Sequence, residues 1–462
     1  MGNHILTFIS MGVKRSAAPI LVVVTSEELA RSIVLGLRSA GHQAYLVGGC
    51  VRDLLLGRPA KDFDIATDAR PDRVSELFER TEQVGAHFGV VLVREGASQV
   101  EVATFRSDSS YSDGRRPDRV RFEAGPREDA LRRDFTINAL LLDPETGEVL
   151  DFTGGREDLD RRIIRAIGDP EQRFQEDHLR LLRAVRFAAR LDFAIEPATM
   201  AALQRLHGLI ESVSAERVRE ELARILTEGG ARRGFELLDE TGLLGDILPE
   251  VAAMKGVEQP PQFHPEGDVW THTLLLLEKL RNPTVTLAMG ALLHDVGKPP
   301  TFRVAERIRF DGHAAEGVRM AHEILTRLRF SKEQIEQIEA LVSNHMRFKD
   351  ARDMRESTLK RFLRTRDFGE HLELHRLDCL SSNGKLDTYK LVLARLDELG
   401  EEDLKPKPLV TGRDLIAAGY RPGPAFGKML AAVEDAQLEA RVQNAEEAMA
   451  LVRAEFGEPG DQ

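Results

Sequence analysis

The chain is poor in cysteine and has no long hydrophobic run. Cys50 and Cys379 are the only cysteines among its 462 residues, too few for the disulfide framework of a small secreted protein. Two free thiols suit a reducing compartment, so the sequence predicts a cytoplasmic protein. No apolar run approaches the roughly 18–20 residues of a membrane span. An N-terminal apolar stretch precedes its basic pair, the reverse of a signal peptide, so residues 1–24 are predicted to be an extension.

Lysine is missing from one long segment. Between Arg115 and Arg190 every basic residue is an arginine, whose planar fork favours phosphates and base edges. Acidic residues there are about as numerous, so the segment has no basic field. The net charge of −12 argues against a nucleic-acid footprint over the whole surface but leaves room for a local one. The arginines therefore indicate either nucleotide contacts or solvated helix faces.

The most informative motif is VGGCVRDLLLGRPAKDFD at residues 47–64. A glycine pair follows an apolar strand, and Gly48 and Gly49 allow a phosphate to approach the backbone closely. Asp62 and Asp64 flank a phenylalanine on a second strand, so they share one face. Two carboxylates this close repel each other unless a cation lies between them, and Mg²⁺ prefers such oxygens together with substrate phosphates. The motif predicts a Mg²⁺-nucleotide site, with Arg52 within one turn of the glycines.

Hydrophobic periodicity divides the chain into a small α/β region and a long helical region. Residues 25–155 alternate helices and strands, and from about residue 156 helical patterns dominate to the C-terminus. The fold class is therefore α+β, with a small mixed sheet followed by an all-α remainder. The predicted elements that matter below are the helices Ser26–Ser39, Pro71–Arg80 and Glu176–Arg190, the strands Ala44–Val47 and Phe63–Ala66, and the hairpin of Gly89–Arg94 with Gln99–Arg106.

Two further segments of the α/β region carry candidate site residues. Glu101 lies on a strand that can pair beside the Asp62/Asp64 strand, where it would be a third acid near the metal or a solvated surface residue. The sequence LRRDFTINA at 131–139 places Arg132 and Arg133 just before an apolar strand. These two arginines could brace triphosphate oxygens, or they could pair with Asp134 and cap the turn.

The arginine-rich segment QEDHLRLLRAVRFAARLDF at 175–193 suggests a way to select a base. Asp177 and Arg180 are neighbours on a helix, whereas Arg186 lies on about the opposite side. Cytosine and adenine both present an amine beside a ring-nitrogen acceptor, which match an aspartate and an arginine. Guanine and uracil mismatch both partners, so such a pair would admit CTP and ATP and reject GTP and UTP. The alternative is i,i+3 ion pairing on a surface helix.

These motifs, together with GGREDLDRRIIR at 154–165, occur in one order and closely resemble the class II tRNA nucleotidyltransferase/poly(A) polymerase family from about residue 45 to 246. The resemblance implies a nucleotidyltransferase head followed by a helical neck, body and tail. It implies Mg²⁺ at the head and RNA as the partner. The residues it implies are Asp62 and Asp64 as metal ligands, Gly49 and Arg52 as nucleotide-phosphate contacts, and Arg133, Asp177, Arg180, Arg183 and Arg186 as nucleotide-site residues.

Within that family the chain resembles the CCA-adding branch. Where poly(A) polymerases have a basic stretch, it has GAHFGVVLV at 85–93. Enzymes that add only CC shorten a flexible head loop, whereas the segment at 107–122 has full length here. The resemblance implies tRNA, CTP and ATP as partners, with neither DNA nor a membrane. Addition of the terminal A alone, and poly(A) addition, remain open.

A second set of chemistry-bearing residues lies in helical sequence. His272, the dipeptide His294-Asp295 and Asp378 occur in the order of the HD phosphohydrolase superfamily, which residues 263–382 resemble; His313 and His345 lie between. Imidazole and carboxylate ligands suit Ni²⁺, Co²⁺, Mn²⁺ or Mg²⁺, which would activate a water for phosphoester hydrolysis. The alternative is a decayed HD fold kept as a scaffold.

Together these observations predict a CCA-adding nucleotidyltransferase with an inserted HD domain. The head is expected at 25–155, the neck and body at 156–255, the HD domain at 256–395 and the tail at 396–462. Asp62 and Asp64 would hold Mg²⁺ while the RNA 3′-hydroxyl attacks the α-phosphate and pyrophosphate leaves. The rival hypothesis is a metal phosphohydrolase whose head only binds RNA.

Overall fold

A computed structural model describes residues 25–60, 62–84, 89–109, 114, 119–122, 125–262 and 264–459. The predicted N-terminal extension and the middle of the full-length loop lie outside these residues. The described residues form two compact units, whose boundary along the chain follows Leu159. The first unit contains the sheet and the second is almost entirely helical. The finer division into neck, body, HD domain and tail stays a prediction.

The first unit is built on a seven-stranded mixed sheet of order β3-β4-β5-β2-β1-β8-β9. Only β2 and β5 pair in parallel, and the other neighbours are antiparallel. The strands β6 and β7 form a separate two-stranded ribbon. The strands are β1 (Ala44–Val47), β2 (Asp64–Thr67), β3 (Thr81–Gln83), β4 (Val90–Glu95), β5 (Ser98–Thr104), β6 (Ser107–Ser109), β7 (Arg119–Arg121), β8 (Leu141–Leu142) and β9 (Val149–Leu150).

Five short helices accompany these strands. The predicted first helix is confirmed in both bounds. Thr25 caps it, because the Thr25 hydroxyl accepts the Glu28 amide at 3.2 Å and the Glu28 carboxylate accepts the Thr25 amide at 2.8 Å. This reciprocal pairing satisfies two amides that the helix leaves unpaired. The helices are α1 (Ser26–Ser39), α2 (Gly49–Leu55), α3 (Pro71–Leu77), α4 (Pro126–Leu131) and α5 (Gly155–Arg161).

Two bounds in the first unit differ from the sequence prediction. The β2 strand begins at Asp64, so Asp62 precedes the strand instead of lying within it. The third helix ends at Leu77, because Phe78 adopts extended backbone angles and residues 81–83 pair with β4. The sheet contact overrides the helical propensity of Glu79 and Arg80, because tertiary context outweighs local propensity.

The second unit contains nineteen described α-helices and four two-residue strands. Strands β10 (Ile163–Ile164) and β11 (Ala194–Ile195) pair in parallel, and β12 (Arg303–Val304) and β13 (Ile308–Arg309) form an antiparallel ribbon. The helices are α6 (Pro170–Glu176), α7 (Arg180–Leu191), α8 (Pro197–Leu206), α9 (Ala215–Thr227), α10 (Ala231–Glu240), α11 (Leu243–Ile247), α12 (Pro249–Ala252), α13 (Val269–Glu278), α14 (Val285–Leu293), α15 (Lys298–Thr301), α16 (His313–Arg327), α17 (Lys332–Asn344), α18 (Glu356–Leu363), α19 (Phe368–Ser381), α20 (Asp387–Glu398), α21 (Glu401–Leu404), α22 (Gly412–Ala417), α23 (Pro424–Leu438) and α24 (Ala445–Phe456).

The helix predicted at Glu176–Arg190 is in fact two helices. Asp177 has extended backbone angles and ends α6, and its carboxylate accepts the Leu179 amide at 3.2 Å. An aspartate that bonds to a nearby amide offers the backbone an alternative to helix, which explains the break. The α7 helix then starts at Arg180. The prediction of one continuous helix, and of Asp177 and Arg180 as neighbours on it, is therefore wrong.

Helices α13, α14 and α19 form the apolar centre around the predicted HD residues. Seven of the nine residues of α14, from Leu287 to Leu293, are buried. A helix that is apolar on nearly every side belongs in a core, which explains why α14 can present its C-terminal His294 from inside the protein. Among the described residues, no helix is long and apolar enough to cross a bilayer.

Candidate functional sites

Three carboxylates gather at the start of β2. Asp64 lies opposite Glu101 in the parallel pairing of β2 and β5, as the sequence predicted, and the exposed Asp62 comes two residues earlier. Burial, Glu101 and Asp62 raise the pKa of Asp64 to about 6, against the opposing effect of Arg133. A bound cation would stabilise the ionised form of a carboxyl group whose pKa is raised in this way. The residues therefore fit a divalent metal.

The absence of a side chain at Gly48 leaves room for a positive charge, that of Arg133, next to these carboxylates. The φ of Gly48, 76°, lies in the left-handed region that favours glycine. A Cβ atom at this position would lie 3.0 Å from Nη1 of Arg133 and 3.8 Å from Oδ2 of Asp64. The glycine thus leaves the space in which a guanidinium and a carboxylate stand close together. The backbone turn at Gly48, which leads into the first turn of α2 at Gly49, can admit a phosphate.

Arg52 lies beneath this turn but does not face outward. Its side chain is only 2% exposed. It donates to the carboxylate of Asp53 at 2.8 Å and to the side-chain oxygen of Asn138 at 2.8 Å. Its Nη2 would lie 3.7 Å from a Cβ atom at Gly49. The structure thus places Arg52 as a support under the glycine turn.

The two arginines of the LRRDF motif share one acid. Asp129, almost fully buried, accepts from Arg132 at 2.6 Å and from Arg133 at 3.1 Å. Asp134 accepts the Phe135 amide at 2.8 Å. The acid that both arginines share lies one helical turn earlier, on α4. This pairing fixes the guanidinium of Arg133 beside Asp64.

Asp177 and Arg180 stay close through the backbone but have separate partners. The Arg180 amide donates to the Asp177 carbonyl at 3.0 Å. The Asp177 carboxylate accepts from Arg217 at 3.1 and 3.2 Å, and the Arg180 guanidinium donates to Glu176 at 2.7 Å. These side chains do not pair with each other.

The later arginines of α7 differ in burial. Arg183 is half-buried, with its guanidinium 5.3 Å from the Phe187 ring. Arg186 is buried and donates to Glu221 at 2.6 Å, and its Nη1 lies 3.5 Å from Glu228. Its guanidinium also stacks over the Phe187 ring at 4.2 Å. A guanidinium held on two sides in this way links α7 to α9, which identifies a role in packing.

The predicted HD residues form one cluster in the second unit. His272 Nε2 lies 3.1 Å from Asp378 Oδ1, and its ring centre is 5.5 Å from that of His294. Asp295 Oδ1 lies 3.8 Å from His313 and 3.7 Å from His345. Helices α13, α14, α16, α17 and α19 carry or adjoin these residues. Two donor sets result, His272/His294/Asp378 and Asp295/His313/His345, in each of which the ligand atoms lie within 4.8 Å of one another.

The histidines are oriented for metal binding. Each Nδ1 lies within hydrogen-bond distance of an acceptor that carries no proton, so Nδ1 holds the proton and Nε2 keeps its lone pair. The Nε2 atoms of His272 and His294 are buried and do not have hydrogen-bond geometry, but each lies beside a carboxylate oxygen, of Asp378 at 3.1 Å and of Asp295 at 3.2 Å. Imidazole nitrogens and carboxylate oxygens that converge in this way fit a cation. The Nδ1 acceptors are Glu266 for His272 at 2.6 Å, and the carbonyls of Ala291, Phe310 and Val342 for His294, His313 and His345.

Some residues of this cluster were not predicted from the sequence. Glu266 lies six positions before His272 and also accepts from His264 at 2.9 Å. Lys298 is buried and donates to Asp295 at 2.6 Å and to Gln259 at 2.6 Å. Although burial opposes it, His294 and Lys298 hold the pKa of Asp295 well below its usual range. The sequence GKP after the His-Asp pair was the available signal for Lys298.

A cavity of about 780 Å³ opens onto the HD cluster, a size typical of small-ligand sites. Its floor holds Asp295, His313, His345 and Asp378. The cavity and the donor sets together can hold a metal ion and a phosphate ester.

Comparisons with known proteins agree with both units. Residues 44–165 match the Poly A polymerase head domain, 192–255 a probable RNA- and SrmB-binding site of polymerase A, and 315–452 a putative tRNA nucleotidyltransferase domain 2. The CCA-adding enzyme of Levilactobacillus brevis is 35% identical over 92% of this chain and 97% of that protein. That of Enterococcus faecalis is 42% identical over 55% of this chain and 63% of that protein. A crystal structure of the Bacillus stearothermophilus CCA-adding enzyme with CTP superposes with a TM-score of 0.72 at 28% identity, covering 93% of this chain and 98% of that one.

Proposed function

Because this chain belongs to the CCA-adding enzyme family, we propose that it adds C, C and A to tRNA 3′ ends from CTP and ATP. The observation that carries the proposal is the acidic group at the start of β2 beside Arg133 and the glycine turn. Asp62 and Asp64 would hold Mg²⁺, with Glu101 beside them. When bound, Mg²⁺ neutralises the triphosphate and lowers the pKa of the attacking 3′-hydroxyl.

The remaining head residues position the triphosphate. Arg133 would donate to phosphate oxygens, and the glycine turn would bring the α2 backbone close to them. Arg52 would act through the turn that it supports. In the reaction the 3′-hydroxyl oxygen bonds to the α-phosphorus, the bond to the bridging oxygen breaks, and pyrophosphate leaves.

The direct test uses tRNA that lacks CCA, or that ends in C or CC, with each labelled nucleoside triphosphate. Full CCA addition predicts that C is incorporated into the first two acceptors and A only into the last. Incorporation of A alone would indicate terminal-A addition, and long A tails would indicate poly(A) addition. Asp64→Ala should abolish incorporation into every acceptor.

For base selection we propose Asp177 and Arg180, which share one turn before α7. Their carboxylate and guanidinium can meet the amine and the ring nitrogen of cytosine or adenine once Arg217 and Glu176 share or release them. Asp177→Ala or Arg180→Ala should let UTP and GTP compete, measured as the ratio of kcat/KM values. Arg183 is proposed to contact the same nucleotide. Unchanged ratios in both variants, with activity retained, would make the pair structural.

We further propose a metal-dependent phosphohydrolase at the HD cluster. His272, His294, Asp295 and Asp378 would hold Ni²⁺, Co²⁺ or Mn²⁺, since imidazole suits these ions. The supporting observation is the pair of buried Nε2 atoms of His272 and His294, each beside a carboxylate oxygen. A bound ion would make a water nucleophilic at neutral pH. On a 2′,3′-cyclic phosphate, the water oxygen bonds to phosphorus, one ribose oxygen leaves, and that oxygen takes a proton.

His294→Ala tests whether the two activities are separate. It should remove hydrolysis of 2′,3′-cyclic phosphates or phosphomonoesters and spare CCA addition, while Asp64→Ala should do the reverse. Loss of both activities with a lowered melting temperature would mean that His294→Ala unfolds the protein. Absence of any metal-stimulated hydrolysis by the wild type would leave the cluster as a scaffold.

A further inference from the structure

The ribbon β12–β13 lies at the mouth of the HD cavity and has an unusual charge pattern. Arg303 and Arg309 are directly opposite each other in its register, and both are exposed. Like charges opposite each other destabilise an antiparallel pair. Neither side chain has a hydrogen bond or ion pair with any described residue. The ribbon therefore keeps two positive charges together without a protein partner.

The same sign of charge continues around the cavity mouth. Arg307, Arg309 and Lys349 all line the cavity, are exposed, and pair with no described residue. Among the described lining residues, the only carboxylate besides the floor ligands Asp295 and Asp378 is Asp311. One phosphate at a metal ion already has the metal as its counter-charge, so three further unpaired cations exceed what one phosphate requires. They indicate a ligand with several phosphates.

Apolar side chains stand among these cations. Phe302 and Phe310 flank the ribbon, with ring centres 5.9 Å apart. Phe302 is 37% exposed, and Met346 on the cavity wall is 38% exposed. Arginines with interleaved aromatic rings are the features by which proteins hold single-stranded RNA, because bases stack on the rings while phosphates meet the cations.

We propose that the β12–β13 ribbon binds the last nucleotides of a single-stranded RNA 3′ end and directs its terminal phosphate to the HD cluster. The substrate class is thus an RNA strand that ends in a phosphate or cyclic phosphate, and not a free mononucleotide. This inference rests on the proposed phosphohydrolase activity. Arg307 and Arg309 are specificity-determining residues in it, since they contact the strand beyond the reacting phosphate.

The test compares a 2′,3′-cyclic mononucleotide with a hexanucleotide that ends in the same cyclic phosphate, both with Mn²⁺ or Ni²⁺. Wild-type kcat/KM should be higher for the hexanucleotide. Arg307→Ala/Arg309→Ala should lower it by about tenfold or more, because each change removes a charge-assisted contact, and should leave the mononucleotide value within about twofold. For the hexanucleotide, the slope of the logarithm of kcat/KM against the logarithm of the salt concentration should become shallower by roughly 1.4 in the double variant. This is about 0.7 for each lost phosphate contact to a single strand.

Arg319→Ala is the matched control. Arg319 is an exposed arginine of the same unit, pairs with Glu316 and Glu323 on α16, and does not line the cavity. It should leave both substrates unchanged. Equal wild-type values for the two substrates, an unaffected hexanucleotide in the double variant, or an equal loss in Arg319→Ala would each overturn the inference.

Failure of the parent proposal would look different. If the wild type hydrolyses neither substrate, the proposed phosphohydrolase activity is wrong. The ribbon is then tested by binding of a labelled hexanucleotide that ends in a 3′-phosphate. Binding weakened by the double variant but not by Arg319→Ala would retain the RNA contact, and equal binding by all three proteins would overturn it.

Discussion

Replacing Asp64 with asparagine should stabilise the metal-free protein while abolishing nucleotide addition. The pKa of Asp64 rises from 3.8 to about 6 in the fold. A carboxyl group whose folded-state pKa is raised contributes its full stability below the unfolded value and loses it as the pH rises through the folded value. Two pKa units correspond to about 3 kcal/mol. At pH 7.5 the ionised Asp64 therefore costs the head about this much, and the neutral asparagine avoids that cost.

The assay is thermal unfolding in EDTA. The transition to follow is the one whose midpoint temperature rises when Mg²⁺ is added to the wild type in a separate measurement. At pH 7.5 the midpoint of Asp64→Asn should be higher by roughly 10 °C, and the difference should nearly vanish at pH 4. Mg²⁺ at a hundred times its Kd should raise the free energy of unfolding of the wild type by about 2.7 kcal/mol and leave that of Asp64→Asn unchanged. The difference in midpoint between the two proteins should then largely disappear.

Asp62→Asn is the control for this argument. Asp62 is exposed, so its charge stays solvated, and the substitution should change metal-free stability by less than about 1 kcal/mol. An Asp64→Asn protein no more stable than the wild type at pH 7.5 would refute the reasoning, as would a gap that is the same at both pH values.

Three other substitutions test the supporting contacts. Gly48→Ala should cost about 1–2 kcal/mol through its left-handed backbone and should raise the KM for CTP by displacing Arg133; an unchanged KM would contradict the close approach. Arg52→Ala should lower the stability of the head by about 3–5 kcal/mol because it removes the arginine partner of the buried carboxylate of Asp53, measured by urea unfolding; a stable protein with a raised KM would instead make Arg52 a direct phosphate contact. Arg186→Ala should destabilise the second unit similarly by orphaning Glu221; unchanged stability with altered nucleotide selectivity would place Arg186 in the nucleotide site.

Local patterns were sufficient to predict most elements around both candidate sites and the side chains that gather there. The Asp64–Glu101 pairing follows from two strands whose alternation was visible in the sequence. The HD cluster follows from the order and type of its ligands, because few other arrangements place His272, a His-Asp pair and Asp378 in apolar helices. Element identity and ligand chemistry are local properties, so one sequence reveals them.

Side-chain partners were harder to predict, because they depend on long-range packing. Arg52 bonds to Asn138, 86 positions away, and no local pattern distinguishes this contact from one with a ligand. The break at Asp177 depends on a single aspartate that bonds to a nearby amide, which competes with a strong helical pattern. Glu266 could not be identified as a partner of His272 because the intervening loop has no periodicity.

An excess of one sign of charge marks two of the ligand-binding positions that we propose for this chain. Where charge is buried for packing, opposite signs meet: Asp129 holds two arginines, and Arg186 holds Glu221. At the start of β2, three carboxylates meet the single guanidinium of Arg133, and along the β12–β13 ribbon two arginines lie opposite each other. This excess of one sign of charge lowers the stability of the free protein, and a ligand of opposite sign would offset it. The acids of the head therefore fit a divalent cation, and the arginines of the ribbon fit phosphates.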